Sequence, residues 1–338
     1  MKQLNPRSQS AAGQPVAMSD RLGRRIEYLR VSVTDRCDLR CAYCIPKGHR
    51  QFGERQGVLD ASEFGRLIGL FAAGGVGRVR LTGGEPLTRP DLLEIVREVR
   101  GLPGIHDISL STNATQLAEH AGGLYAAGVR RLNISLDSLR PERFAKITGR
   151  DCLAEVLRGI ERAQRVGFLP IKINMVVQPG ENEDEVDEMV SFCNERNLVL
   201  RFIERMPVGA AGTVNCSSLQ NLRHRLVAQH RLIEAVIPGG GPARYLKSPH
   251  GEMTVGFITP MSQHFCATCN RLRLGADGAL YTCLDAAGSV PLGRHLRDGA
   301  SDEALQAMIA AAIWTRPERH EFDSTRDRSI RLMTVTGG

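Results

Sequence analysis

Six times between residues 29 and 203 a short strand-like run of branched apolar residues begins, and amphipathic helix patterns fill the segments between. That alternation constrains the fold more than any other feature of the chain. Strand-like runs begin near Leu29, Val79, Ile108, Leu132, Ile171 and Val199, and the fifth runs Ile-Lys-Ile-Asn-Met-Val-Val to Val177. Helical spacing occupies 62–73, 89–100, 152–166 and 183–196, and Gly or Pro punctuates many joins. Strands alternating with helices imply a parallel sheet. Six such units without a dinucleotide-binding fingerprint predict an α/β fold of the incomplete (β/α)6 kind, resembling a TIM barrel.

The rhythm stops after Gly209. The run Pro238-Gly239-Gly240-Gly241-Pro242 predicts a loop, and a cysteine-rich stretch and an Ala-rich helix over 302–314 follow. Three parts are expected: a disordered tail over 1–20, a partial barrel over 21–209, and a cysteine-rich extension over 210–338 that closes the barrel. Residues 1–19 hold no acid and few bulky apolar side chains, which is what makes them read as a tail. Met18 is a second candidate start.

Composition excludes several classes. The clearest uncharged apolar stretch runs only over 67–77, too short to span a bilayer. The net charge of +7 is modest for 338 residues, no run of basic residues forms a nucleic-acid tail, and aromatics are only 5%. No membrane or nucleic-acid partner is expected. Nine cysteines in a chain of this length do not make a secreted disulfide scaffold, and the odd count argues against full pairing. No apolar signal-peptide core opens the chain. A reducing, cytoplasmic setting is therefore expected, with metal or redox chemistry at the thiols.

Cys37, Cys41 and Cys44 have the spacing C-x3-C-x2-C and follow the first strand, at the end where barrel active sites form. Three thiolates can wrap one metal centre and leave a position open. Four would close a structural zinc or a fully ligated iron–sulfur cluster. The spacing leaves a zinc site completed by His49 as the alternative. Downstream, Gly83-Gly84-Glu85-Pro86 follows the second strand; its glycines let backbone approach a ligand, and Glu85 can accept from an ammonium group.

Cys266, Cys269 and Cys283 form a second set, C-x2-C-x13-C. Arg271-Leu272-Arg273-Leu274 alternates, and Asp277-Gly278 signals a hairpin. A two-residue turn would set Leu272 opposite Cys283 and bring Cys283 back near Cys269. Period-two spacing puts Arg271 and Arg273 on one face, which suggests an anionic substrate beside an open metal position. A zinc site using His264 stays open here as well.

Cys37-Asp38-Leu39-Arg40-Cys41-Ala42-Tyr43-Cys44 resembles the cluster-binding motif of the radical S-adenosylmethionine superfamily, where an aromatic residue precedes the third Cys. The segments 29–37, 80–87, 133–139, 172–174, 201–204 and 265–274, with the terminal Gly337-Gly338, are similar to the GTP 3′,8-cyclase family within it, over about 21–338. The resemblance implies a lyase of molybdenum cofactor biosynthesis with two [4Fe–4S] clusters, on Cys37, Cys41 and Cys44 and on Cys266, Cys269 and Cys283. S-adenosylmethionine is implied at Tyr43, Gly84, Ser135 and Met206. GTP is implied at Arg30, Arg80, Ser111, Lys172, Arg271, Leu272 and Arg273, with Arg30, Arg271 and Arg273 also catalytic. A terminal Gly-Gly tail reaching the active site is implied too. The implied reaction removes hydrogen from C3′ of GTP by a 5′-deoxyadenosyl radical. Attack of the sugar radical on C8 and a reduction then give 3′,8-cyclo-7,8-dihydro-GTP. The implied partners are a reductant or electron-donor protein, a second copy in a homodimer, and the downstream synthase that makes cyclic pyranopterin monophosphate.

Three positions depart from the family pattern: Arg78 stands for a common Lys, Ser111 for Thr, and Arg205 for an aromatic residue. Cys152, Cys193 and Cys216 match no ligand position and are expected to be incidental thiols. Two rival readings remain at this level: another radical enzyme with an auxiliary cluster, acting on a peptide, and a zinc-stabilised nucleic-acid-binding protein.

Overall fold

The structure, a computed structural model, describes residues 18–45, 57–207, 218–237, 239–251, 253–285, 288–320, 322 and 333–337. In chain order, β1 (Tyr28–Ser32) leads to α1 (Ala61–Ala73), β2 (Arg78–Thr82) to α2 (Leu92–Gly101), and β3 (Asp107–Thr112) to α3 (Leu117–Ala127). Then β4 (Arg131–Ser135) leads to α4 (Pro141–Thr148) and α5 (Leu153–Val166), and β5 (Ile171–Val177) to α6 (Val186–Glu195) and β6 (Val199–Glu204). The extension contributes α7 (Gln220–His230), β7 (Ile233–Ala235), β8 (Arg244–Lys247), β9 (Thr254–Ile258), β10 (Arg271–Leu274), β11 (Ala279–Tyr281) and β12 (Val290–Pro291). It ends with α8 (Leu292–Arg297), α9 (Asp302–Trp314) and α10 (Met333–Thr336).

Strands β1 to β6 pair in parallel in chain order, as the alternation predicts. The whole sheet runs β12-β11-β10-β1-β2-β3-β4-β5-β6-β9-β8-β7. The extension thus adds to both edges, β10 parallel to β1 and β9 parallel to β6. Its outer strands β12 and β7 are not bonded to each other. The expectation that the extension closes the barrel is corrected to this extent: it widens an open sheet at both ends.

Each strand sorts its side chains by parity. Leu29, Val31, Val79, Leu81, Leu132 and Ile134 are fully buried in the core. Burying a Leu, Ile or Val side chain of this kind stabilises by roughly 1.5–3 kcal/mol relative to exposure. The other parity carries Arg30, Arg80, Ser109, Arg131 and Arg201. Register places Arg273, Arg30 and Arg80 side by side across three strands. An α/β sheet that carries a row of arginines on one face is sorting a core from a binding surface.

Local signals explain most boundaries. Asp60 caps α1 and forms a reciprocal capping box with Glu63. The helix expected from residue 89 starts instead at Leu92. Arg89 precedes Pro90, which disfavours helical backbone, and Arg89 is extended. Its side chain donates to the carbonyls of Val33 and Leu59. The pattern over 183–196 divides into a short 3-10 turn, Glu183–Glu185, followed by α6.

Residues 18–20, expected within the tail, are part of the folded structure. Met18 and Asp20 are buried, and Ile26 N–H donates to Met18 O at 2.8 Å. Residues 1–17 lie outside the described residues, as do the expected boundary near 209–212, His49, Cys216 and Gly338.

The hairpin also differs from expectation. Arg273 pairs with Tyr281 and Leu274 with Leu280. The Gly275 amide donates to Ala279 O, and the Gly278 amide to Gly275 O. The turn therefore has three residues, Ala276, Asp277 and Gly278, with Gly278 left-handed at φ 75°. This register does not set Leu272 opposite Cys283. A Cβ on Gly278 would lie 2.6 Å from Gly293 Cα, so the turn admits no side chain there.

Candidate active site

The loop after β1 carries the first three cysteines at the C-terminal end of the parallel strands. Backbone bonds pin it: Arg40 N–H donates to Thr148 O, Ala42 N–H to Ile147 O and Cys44 N–H to Cys41 O. The loop therefore lies against the end of α4. Gly84 lies alongside, where a Cβ would sit 2.2 Å from Arg36 O, so only glycine fits.

Glu85 has a structural part that the sequence did not suggest. It is fully buried, accepting from Leu87 N–H and Thr112 Oγ1 on one oxygen and from Asn113 N–H on the other. Its carboxylate ties the turn after β2 to the end of β3. Burial nonetheless pushes it up to about 7, against those hydrogen bonds. Asn113 continues the chain of contacts, donating to Asp38 at 2.8 Å and lying 4.0 Å from Cys37 Sγ.

Tyr43 Oη donates to Asp137 Oδ2 at 2.8 Å, and Asp137 Oδ1 accepts from Val176 N–H. Burial raises Asp137 to about 6. Sequence reasoning missed Asp137 and Asn113, whose partners at the site, Tyr43 and Asp38, lie 94 and 75 residues away. Ser135 is exposed at the end of β4, and Met206 is half-buried just past β6. Both share the strand ends with the cysteine loop.

Burial pushes the Cys37 and Cys44 thiols up to about 12 and Cys41 well above its usual range. Cys41 also feels Asp137 and both other cysteines. No three Cys, His, Asp or Glu side chains among the described residues stand together as a preformed metal cage. The donor chemistry still fits an iron–sulfur cluster: three thiols on one short, pinned loop.

The second cysteine set is assembled from distant segments. Cys266 opens a 3-10 turn that Cys269 ends, and Cys283 follows β11. Arg316 Nη2 donates to Cys269 Sγ at 2.8 Å, while its other nitrogens reach the carbonyls of Cys269 and Thr282. Arg271 Nη2 is 3.7 Å from the same sulfur. Burial alone would raise Cys269, but the charges of Arg271 and Arg316 outweigh it and bring the thiol down to about 7. Burial raises Cys283. His264, the alternative zinc ligand, instead meets His320 at 3.0 Å. Again three thiols fit a cluster with an open position.

Between the two cysteine sets lies a cationic lumen. Arg30, Arg80, Lys172 and Arg273, expected from the sequence, meet Arg201, which was not singled out. Arg30 is held well below its usual range by burial and by Arg273, Arg80 and Arg271. Arg273 and Arg201 fall to about 10, chiefly by burial. Lys172 falls to about 7 by burial and by Arg201, Arg131 and Arg80. Asp107 is engaged by Arg131 and Arg78 at the foot of the strands. Gly239 and Gly240 pack there against Arg131, Lys172 and Arg78, making a floor.

Several groups line the lumen beside these cations. Ser111 is half-buried, in register with Asn133. Asn133 accepts from Arg201 at 2.6 Å. Tyr28 is buried with its hydroxyl unpartnered, and Arg80 lies over its ring. Leu272, expected among nucleotide contacts, turns its side chain into the core, leaving only its backbone for that role.

The C-terminal segment enters the same space. Arg273 donates to the carbonyls of Thr336 and Gly337, and Ser32 to that of Thr334. Buried hydroxyls of Thr334 and Thr336 have no partner. The remaining thiols are as expected where described: Cys152 and Cys193 are buried.

Residues 31–193 match the model of the Radical SAM superfamily, and 198–322 that of Molybdenum Cofactor Synthesis C. A GTP 3′,8-cyclase of Marinobacter nauticus is 45% identical over 95% of this chain and 98% of its own. GTP 3′,8-cyclase 1 of Pseudomonas aeruginosa is 44% identical over 94% of this chain and 98% of its own. The fold is shared with anSMEcpe solved with bound AdoMet, at TM-score 0.59 and 17% identity, covering 87% of this chain and 82% of that one. Streptococcus suis SuiB bound to S-adenosylmethionine has TM-score 0.60 at 17% identity, covering 84% and 68%. The paired cysteine sets, the cationic space between them and near-full-length identity above 40% lead to one assignment. This chain belongs to the GTP 3′,8-cyclase family of the radical S-adenosylmethionine superfamily.

Proposed function

We propose that this chain converts GTP to 3′,8-cyclo-7,8-dihydro-GTP, the opening step of molybdenum cofactor biosynthesis. The observation that carries this reading is the lumen: Arg30, Arg80, Lys172, Arg201 and Arg273 lie together on one face of the sheet, and Arg30, Lys172 and Arg273 each feel the charge of neighbouring arginines. Such a site is stabilised by a polyanion, and a triphosphate accepts several charge-assisted hydrogen bonds at once. The unpartnered Tyr28, Thr334 and Thr336 hydroxyls add polar groups for a nucleotide to meet.

Cys37, Cys41 and Cys44 would hold one cluster and Cys266, Cys269 and Cys283 the other. When bound, the first cluster with S-adenosylmethionine supplies the 5′-deoxyadenosyl radical. The chain's own residues do the rest by placement. Gly84, Ser135 and Met206 border the S-adenosylmethionine position, and Asp137 fixes the Tyr43 ring beside it. The arginines and Lys172 hold the triphosphate so that the ribose faces the first site and the base the second. The glycine floor and the C-terminal segment screen the lumen from water. In this reading Arg30, Arg271 and Arg273 grip the substrate near the second site.

A homodimer, a separate electron donor, transfer to the downstream synthase and a cytoplasmic setting complete the proposal. The reducing setting rests on free cysteines. Among the described residues no helix is long and apolar enough to cross a membrane.

The test is anaerobic reconstitution with iron and sulfide, then incubation with GTP, S-adenosylmethionine and a reductant. Mass spectrometry should find 5′-deoxyadenosine together with a cyclised GTP product, both dependent on GTP. 5′-Deoxyadenosine formed at the same rate without GTP, and no nucleotide product, would overturn the substrate.

A further inference from the structure

Behind the second cysteine set lie three buried charges that the reaction above does not use. Asp20, Arg24 and Arg316 are 4%, 8% and 3% exposed. Arg24 Nε donates to Asp20 Oδ2 at 2.5 Å, and Arg316 Nη1 is 3.8 Å from the same oxygen. Asp20 Oδ1 accepts from the amides of Leu22 and Arg24. One carboxylate thus faces two guanidinium groups, leaving one positive charge in excess in a buried place. Burying an unbalanced charge is unfavourable unless a partner of opposite sign is present.

The two arginines aim their donors at the cysteine segments. Arg24 Nη1 donates to Cys266 O and also to Glu318 O, and its Nη2 to Pro317 O. Arg316 donates to Thr282 O, Cys269 O and Cys269 Sγ. The carbonyls adjoining all three cysteines, at 266, 269 and 282, are therefore fixed by two side chains drawn from opposite ends of the chain. The anion that the excess charge lacks is a thiolate-ligated cluster.

We propose that Arg316, anchored by Asp20 and braced by Arg24, is a positioning residue for the second cluster that also eases its reduction. It rests on the reading that Cys266, Cys269 and Cys283 hold that cluster. A cation donating to a ligand sulfur stabilises the more negative, reduced form and so raises the reduction potential. Fixing the Cys269 and Thr282 carbonyls holds the ligand loops at a constant separation, which slows loss of iron.

The test uses the full chain with Cys37, Cys41 and Cys44 all changed to Ala, so that only the second cluster remains. Potentials are read by spectroscopic redox titration and stability by iron release to a chelator. Arg316→Gln should make reduction about tenfold less favourable, a shift of ~59 mV to lower potential for one electron. Arg316→Lys keeps the charge but loses the fork. It should stay within a few-fold of the parent in reduction and release iron at least about tenfold faster. If the Gln variant does not fold, the Lys variant alone decides. Potential and release rates equal to the parent overturn the role of Arg316. Adding Cys266→Ala to the triple variant should abolish the remaining iron. Iron that survives this change overturns the cluster reading, and with it the proposal.

Discussion

The two cysteine sites use the same number of thiols and are built in opposite ways. The first occupies eight consecutive residues on one loop, and backbone hydrogen bonds pin it against α4. Its electrostatic surroundings are acidic: Glu85 and Asp38 act on Cys37, and Asp137 acts on Cys41. The second is drawn from separate segments and sits among arginines, two of which act on Cys269. An acidic surround suits a site that meets the cationic sulfonium of S-adenosylmethionine. A cationic surround suits one that meets an anionic nucleotide. The same ligand chemistry is thus tuned by its neighbours for two opposite charges.

The strongest way to break this comparison is Cys266→Ser. It should abolish cyclisation and remove about half of the reconstituted iron, leaving the first cluster intact. Iron analysis and product mass spectrometry check both, and normal turnover would end the distinction between the sites. Next in size is Arg273→Gln. Losing a charge-assisted contact of about 1.5–3 kcal/mol should lower kcat/KM for GTP roughly 10- to 100-fold. Occupancy of the first cluster should not change.

Gly278→Ala sharpens the comparison structurally. The left-handed turn and the 2.6 Å approach to Gly293 Cα both resist a side chain. The strain of about 1–2 kcal/mol falls on the hairpin that returns Cys283. Iron should be lost from the second site alone, with melting lowered by a few degrees.

Lys172 gives a pH signature for the cationic side. Its ammonium group is shed near pH 7 in the free protein, where an unfolded lysine keeps its proton to about 10.5. Because its folded value is depressed, the stability of the free protein rises with pH between about 7 and 10.5 and is flat below. A bound polyanion favours the charged form. GTP binding at pH 8 should therefore take up a proton, and at pH 6 take up almost none. Calorimetry in buffers of different ionisation heat measures this, and Lys172→Met should remove it. The smallest effect is at the N-terminal cap of α1, outside both cysteine loops. Asp60→Ala removes the cap of α1 and should cost about 1 kcal/mol in thermal stability, with kcat/KM unchanged.

The first site was readable because its parts are contiguous. Cysteine spacing, Tyr43 and Gly84 were named from sequence, and the structure places the loop and Gly84 together. The supports were not readable. Glu85 was read only as an ammonium acceptor, and its bonds to Leu87, Thr112 and Asn113 left no trace in the sequence. At the second site the cysteines and both strand arginines were visible, but Arg24 and Arg316 were not. They lie 242 and 47 residues from the cysteines they touch. Asp20 fell inside a segment that composition assigns to a tail, because a single buried carboxylate leaves no pattern. The hairpin slipped by one residue because Asp-Gly fits both two- and three-residue turns; packing of Gly278 on Gly293 decides between them.

By itself the sequence determined the parallel β/α sheet of an incomplete barrel, because side-chain periods of two and 3.6 are written locally and bury without knowledge of the rest. It also determined which thiols and which lumen-facing cations exist. Only the tertiary structure decided that the extension adds three strands to each edge of the sheet. Only it showed that Arg201 and Tyr28 join the cation row, and that two arginines share one carboxylate behind the second site. Those outcomes depend on strand register and on contacts between distant segments. Their energies appear only when charges have been removed from water together, and no local pattern in a chain records that event.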